Sequence, residues 1–399
     1  MPDLAGRRFD LARRHEFRVL AAAKPSLPVL LTAGRLAGSL RRVPRIGWVT
    51  TDPVVARRIL NDPAHFTLLG EGGVGHMWAQ VLGDWVNDIF DGPGHHQLRS
   101  RTRDLFTDDS ARELNNRVVG PRLAQAGAEL RAGRAVDIAD LARVLVGRIV
   151  ADLLQLRVAD HDDAYREIFG TGEELAALAL GTTTSTHLAP ETVARAKAIV
   201  ARLTVNVAEA WRTAPPETVL GRCRDLGLEQ RQAEGLATLL MVAGTETAAS
   251  AMARTVAILH DTGAQHRLRA DPALLPDAVR EGLRVTSPAP VIGRAVSADV
   301  AVESRHLRAG ERVLMLTWTA NNAAGPFDLD RGYLPDQRQL WFGAGRHLCL
   351  GAPVARAEIT GMLQTLLDTG RAWRIGRRGY RRKVLIPSYA YLPLRLSHH

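Results

Sequence analysis

The chain of 399 residues holds only two cysteines, Cys223 and Cys349. Two cysteines cannot staple a chain this long, so a disulfide framework is excluded. They also cannot supply the thiolates of a four-cysteine zinc or iron–sulfur site. Aromatic residues make up 5% of the chain. No basic run is interleaved with them as a nucleic-acid stacking module requires, so no nucleic-acid partner is expected. Lysine occurs only at Lys24, Lys197 and Lys383, so the net charge of +10 is almost wholly arginine. Those arginines are scattered, with the densest runs at Arg7-Arg8, Arg13-Arg14, Arg41-Arg42 and 377–383. The basic N-terminal residues are not followed by a sustained apolar stretch, so no signal peptide is expected. The most apolar stretch, 236–259, carries Glu246, Arg254 and several threonines, which a lipid-facing helix would not tolerate. It reads as a core helix, and the chain as soluble, cytoplasmic and without a membrane anchor.

What is present is enough apolar material for a large core, 46% hydrophobic against 24% charged, too little charge for disorder. Apolar residues recur at helical spacing over 54–60, 98–106, 123–130, 138–156 and 193–211. Breakers separate these runs at Asp62-Pro63, Gly92-Pro93-Gly94, Gly120-Pro121 and Pro215-Pro216. Strand-like material is confined to 46–50 early on, then to 296–302, 307–316 and 384–396. The fold class is mainly α with a small β region. One domain is expected over 1–399, with a helix-rich core at about 90–290 and 350–370. Its β-rich parts would lie at about 40–60, 290–320 and 380–397. Residues 229–260 contain no proline and predict one helix of about 48 Å. Halfway along it sits Ala243-Gly244-Thr245-Glu246-Thr247. A mid-helix glycine costs about 1 kcal/mol relative to alanine, and a buried carboxyl costs more unless it is paired or hydrated. Together they predict a local opening of the helix where water or a ligand enters.

The segment Trp341-Phe342-Gly343-Ala344-Gly345-Arg346-His347-Leu348-Cys349-Leu350-Gly351 carries the strongest chemical signal. A single Cys lies in a loop flanked by glycines, just before Ala352-Pro353 and a helical run at 354–367. Glycines let backbone N–H groups approach the sulfur, and a helix start favours a thiolate. A lone Cys can serve as the axial ligand of a haem. The loop Phe342-Gly343-x-Gly345-x-His347-x-Cys349-x-Gly351 resembles the haem-ligand loop of the cytochrome P450 monooxygenases.

The resemblance extends to four further places. Glu281-Gly282-Leu283-Arg284 is similar to the family's E-x-x-R pair, a structural tie to the segment before the Cys loop. The residue completing that tie is Arg331, with Arg338 as the second candidate. Ala243 to Thr247 resembles the distal helix motif, with Ala243 and Gly244 beside the haem, Glu246 relaying protons and Thr247 holding dioxygen and its water. Ala248 stands where the family often has a second Thr. Asp91-Gly92-Pro93-Gly94-His95-His96-Gln97-Leu98-Arg99 resembles the start of the helix that contacts the haem propionates through His95 and Arg99. Pro288-Ala289-Pro290 through Arg294 resembles the turn and strand whose Arg reaches a propionate, and His347 is a further contact. Phe342 and Gly343 would line the cofactor in the Cys loop. Residues 321–336 depart from the family, lacking the usual Asp-Pro pair after the Asn.

The resemblance implies the cytochrome P450 fold, a triangular prism-like helical domain with haem b between the long central helix and the Cys-loop helix. It implies oxygen activation with Cys349 as the metal ligand, and hydroxylation or other oxidation of a small, largely apolar molecule in secondary metabolism. No flavin, iron–sulfur or nicotinamide motif is present. Electrons would therefore come from a ferredoxin or flavodoxin-type donor with its reductase, acting on a monomer. The pocket roof would come from 72–90 and 165–188, with Trp85, Val86, Val242, Ala243, Val291 and Ile292 facing the substrate. The alternatives are a non-hydroxylating oxidation on the same scaffold, such as C–C or C–O coupling or ring formation, and a non-catalytic haem-binding protein.

Overall fold

The computed structural model describes residues 3–34, 38–178 and 185–397. Its axis is the central helix, Gln230–Asp261, which runs unbroken for 32 residues. The helix begins where the backbone N–H of Glu229 donates to the Gln232 side chain at 2.9 Å, a capping-box contact. Every residue from 248 to 259 is buried. Small side chains on all faces let neighbours pack around it. By length and composition the helix could cross a membrane, yet 67% of its most apolar window is buried within the fold.

The helices packing on this axis include Ile138–Leu153, Asp162–Ala177, Pro190–Thr213, Leu275–Thr286 and Ala352–Leu367. The helix Asp162–Ala177 approaches so closely that a Cβ on Gly172 would sit 2.5 Å from Thr245 Oγ1. Only glycine permits that crossing. Asp137 caps the helix Ile138–Leu153, its Oδ1 accepting from the N–H of Ala139 at 3.0 Å. The same oxygen accepts from the N–H of Leu392 at 2.9 Å, which ties the helix start to the last strands. Burial of aliphatic side chains along these contacts, at about 25 cal/mol per Å2, drives the assembly.

The β region is peripheral. A five-stranded sheet has the order Arg41–Val43, Gly47–Thr50, Arg312–Met315, Ile292–Val296, Phe66–Thr67. Only the Gly47–Thr50 and Arg312–Met315 pair is parallel. A three-stranded sheet joins Val136–Asp137, Pro393–Leu396 and Trp373–Ile375.

The strands are shorter than the sequence pattern predicts. The run 296–302 divides into Ile292–Val296 and Val300–Val302. The intervening Asp299 accepts from the N–H of Ala309 instead of continuing the ladder. The run 307–316 divides at Gly310, which has φ +85°. The run 384–396 yields only Tyr389–Tyr391 and Pro393–Leu396. Pro387 and Pro393 carry no N–H for a ladder, and the Pro387 carbonyl accepts from Ser250 on the central helix. The helical run 98–106 likewise tightens into a 3-10 turn after Thr102.

Candidate functional site

The Cys loop is two 3-10 turns, Leu340–Phe342 and Gly345–His347, followed by the helix Ala352–Leu367. Gly343 and Gly345 adopt φ +79° and +67°, a region open to glycine and strained for other residues. The loop is closed by the N–H of Cys349 donating to the Phe342 carbonyl at 3.0 Å. Burial pushes the Cys349 thiol up, while the backbone N–H groups of Gly351 and Ala352 and the Arg99 guanidinium pull against it. The residue lies deep among protein atoms and still keeps exposed surface, so an open space borders it.

Open space also borders the middle of the central helix. Ala243 and Gly244 are exposed in the middle of a largely buried helix, and a Cβ added at Gly244 would meet no atom within 4 Å. The expected opening therefore takes the form of a void beside an intact helix. The Thr247 hydroxyl donates to the Ala243 carbonyl at 2.9 Å, a back-bond that bends helices slightly. Glu246 is 4% exposed, and its Oε2 has no partner among the described residues. Burial, reinforced by the Glu173 carboxylate, pushes Glu246 up to about 8, against the pull of Arg381. This carboxyl holds a proton at neutral pH.

A third group of residues is cationic. Arg294 is 6% exposed, and among the described residues its guanidinium donates to the carbonyl of its neighbour Gly293 alone, at 2.8 Å. Burial lowers Arg294 to about 10, with Asp91 acting in the other direction. Arg99 donates to the Leu348 carbonyl at 2.7 Å. His95 is pushed down to about 4 by burial and by His347, Arg99 and Arg346, so it is a neutral imidazole. Its ring centroid lies 4.6 Å from that of His347. His347 Nε2 in turn meets Asp91 Oδ1 at 2.8 Å. Burial would raise the Asp91 carboxyl, but hydrogen bonds from His347, Thr67 and the N–H of Leu68 hold it at about 2.

Neither Arg99 nor Arg294 has a salt bridge among the described residues. A buried cation without a carboxylate is expensive, so this set calls for an external anion. A haem satisfies all three features: one accessible sulfur, clearance beside Gly244, and two carboxylate arms for the unpaired cations. His95, Arg99, Arg294, His347, Cys349, Ala243, Gly244, Phe342 and Gly343 are the residues that could hold it.

Glu281 and Arg284, 1% and 2% exposed, form a bidentate pair at 2.8 and 2.7 Å. Arg284 also donates to the carbonyls of Asn321, Gly325 and Pro326. Arg331 Nε reaches Glu281 Oε2 at 3.3 Å; Arg338 instead offers its carbonyl to Arg57. The pair thus fastens the irregular segment that precedes the Cys loop.

Of the pocket residues, Trp85 is half-buried, its indole filling the space that a side chain at Gly235 would take and donating to the Leu82 carbonyl at 2.8 Å. Val86 is fully buried and offers no surface to a ligand here. Val242, Val291 and Ile292 are partly exposed. Within the roof segment 165–188, residues 179–184 lie outside the described residues.

Sequence reasoning missed Asp91 as the hub of the cationic group and Glu173 beside Glu246. Each had a signal. Asp91 immediately precedes a Gly-Pro-Gly helix start. Glu173 falls four residues after Phe169 and three before Ala176, on the buried face of its helix.

A family model described as Cytochrome P450 matches residues 224–369. Cytochrome P450-SU2 of Streptomyces griseolus is 30% identical over 341 residues, covering 80% of this chain and 79% of that protein. Cytochrome P450 105A3 of Streptomyces carbophilus is 41% identical over 138 residues, covering 33% of each; in such shorter matches the chain spans about a third of the relative's length. Among solved structures, a post-tailoring hydroxylase (HmtN) involved in himastatin biosynthesis is 26% identical with a TM-score of 0.72, over 94% of this chain and 98% of that one.

Proposed function

Because the chain belongs to the cytochrome P450 family, we propose that it is a haem-thiolate monooxygenase oxidising a small, largely apolar organic molecule with dioxygen. The observation that carries this reading is a sulfur, Cys349, that lies deep in the fold and keeps accessible surface. The group assigned is haem b. When bound, it supplies dioxygen activation, and a thiolate ligand favours O–O cleavage.

The rest is the work of side chains. Cys349 supplies the single thiolate, and the Gly351 and Ala352 N–H groups limit its charge density. Arg99 and Arg294 neutralise carboxylates, and His95 donates a further hydrogen bond. His347, fixed by Asp91, presents its other ring edge to the same region. Glu246 holds a proton at its carboxyl at neutral pH. The Thr247 hydroxyl spends its hydrogen on the Ala243 carbonyl, leaving its oxygen to accept from water and fix that water in place. Trp85, Val242, Val291 and Ile292 supply apolar surface, which selects an apolar substrate and excludes bulk water. The himastatin hydroxylase suggests the substrate class, a secondary-metabolite intermediate.

Electrons come from a ferredoxin or flavodoxin-type donor with its reductase, and the net charge of +10 favours an acidic docking partner. The enzyme is assigned as a soluble cytoplasmic monomer with one domain over 1–399. The test is turnover with isotopically labelled dioxygen, a surrogate donor and a panel of apolar metabolites that shift the iron spin state. Product carrying one labelled oxygen supports the reading. Ligand-induced spin shifts without any oxidised product would make the protein a haem-binding carrier.

A further inference from the structure

Glu246 has a second carboxyl for company. Between the central helix, the helices Ile138–Leu153 and Asp162–Ala177, and the C-terminal strands lies a small cavity lined by Arg143, Glu173, Glu246, Ser250, Ser388 and Tyr389. Its volume open to a water centre is 10 Å3, room for about one water. Glu246 lines it, and the buried Oε2 of Glu246 has no hydrogen-bond partner among the described residues. Across it, Glu173 accepts from Arg381 Nη2 at 2.7 Å, and the Arg381 side chain is 34% exposed. The cavity therefore has a buried acid on one wall and, on another, an acid whose partner reaches the surface.

We propose that Glu173 is the proton donor that recharges Glu246, passing the proton through one water held between the two carboxyls. The proposal rests on the monooxygenase reading above and extends it to the supply side of Glu246. A protonated Glu173 gives its hydrogen to the water, and the water gives a different hydrogen to Glu246. One O–H bond breaks and one forms at each oxygen pair, so the water is regenerated and Glu173 is left as a carboxylate facing Arg381. Glu173 then reprotonates from solvent along the Arg381 side.

The charged neighbours fit this direction of flow. From the helix Ile138–Leu153 comes Arg143, whose guanidinium is spent on the carbonyls of Tyr389 and Ala390. From the segment after the strand Gly379–Tyr380 comes Arg381, and from the central helix comes Ser250, which donates to the Pro387 carbonyl. Arg254, one turn further along, is paired with Glu16, so it is not available to trap either carboxyl. Burial pushes Glu173 up from its ordinary value against Arg381 and Arg143.

The experiment uses the full chain and Glu173→Gln, Glu173→Asp and Glu246→Gln. Infrared spectroscopy follows the protonated carboxyl band of Glu246, assigned by its loss in Glu246→Gln, as pH is varied. Gln at 173 removes a like charge and frees Arg381, so the Glu246 midpoint should fall by about one pH unit or more. In turnover, Glu173→Gln should raise the solvent hydrogen isotope effect and lower product per electron by about tenfold or more. Glu173→Asp should restore part of both. An unchanged midpoint, or product per electron equal to the parent in Glu173→Gln, would overturn the proposal. So would equal losses in Glu173→Asp and Glu173→Gln, which mark a packing role. Failure of the monooxygenase reading looks different: the parent itself then forms no product.

Discussion

Replacing Glu246 by Gln should change how the stability of the fold depends on pH. Folding moves the Glu246 carboxyl from its ordinary 4.5 to about 8, because burial and the Glu173 carboxylate disfavour its charge. Between those values the folded chain keeps a proton that the unfolded chain has released. Stability therefore falls as pH rises through that window. Each pH unit is worth about 1.4 kcal/mol, so the accumulated loss is about 3 kcal/mol at neutral pH and about 5 kcal/mol above the folded midpoint. Gln carries no titratable proton, so this slope disappears in the variant. Any constant effect of the amide shifts both ends of the curve equally. Urea unfolding of parent and variant, each in the same haem state, at about pH 5, 7 and 9 reads the difference directly. The gap should widen in favour of Glu246→Gln as pH rises. A gap that stays constant across the range would mean Glu246 ionises like a solvated carboxyl, and its assignment as a proton holder would fall.

Other variants probe separate parts of the site. Glu281→Ala leaves the Arg284 guanidinium buried without its carboxylate and should cost about 3–5 kcal/mol in urea unfolding, with faster loss of bound haem. A cost under about 1 kcal/mol would remove the pair from its anchoring role. Arg294→Gln should weaken haem affinity by about 1.5–3 kcal/mol, or roughly tenfold to a hundredfold, in haem titration; an unchanged affinity would take Arg294 out of the anion site. Thr247→Ala should leave haem binding intact and lower product formed per electron consumed, measured by product and reductant assays together. Coupling equal to the parent would show that its hydroxyl does not position water.

Which parts of this site could be read from the chain follows from how far apart the partners lie. The Cys loop is contiguous, and its glycines and its cysteine announce one another within eleven residues, Trp341 to Gly351. Glu281 and Arg284 share a helical face by spacing alone, whereas Arg331 enters only through the family resemblance, with Arg338 as the alternative that the structure sets aside. The long central helix is legible because no proline interrupts it. Glu173 and Arg143 lie on separate helices and Arg381 in the segment after Gly379–Tyr380, and they meet only when the helices wrap the central axis. No spacing rule links them. Asp91 is similar: its role depends on His347, 256 positions away. The strands were overextended because alternation and β-branching reveal apolar runs but not where a side chain such as Asp299 takes the next N–H for itself. Val86 shows the same limit in the pocket. The sequence places it in the roof segment, but only the packed structure shows its side chain fully enclosed.

The central claim is that Cys349 binds a haem iron as a thiolate. The most direct measurement is the absorption difference spectrum of the reduced, haem-loaded protein with and without carbon monoxide, run beside Cys349→Ser. The account predicts the long-wavelength Soret band of a thiolate-ligated carbonyl complex in the parent and its loss in the variant. A parent that binds haem yet lacks that band, or a variant that keeps it, would contradict the account.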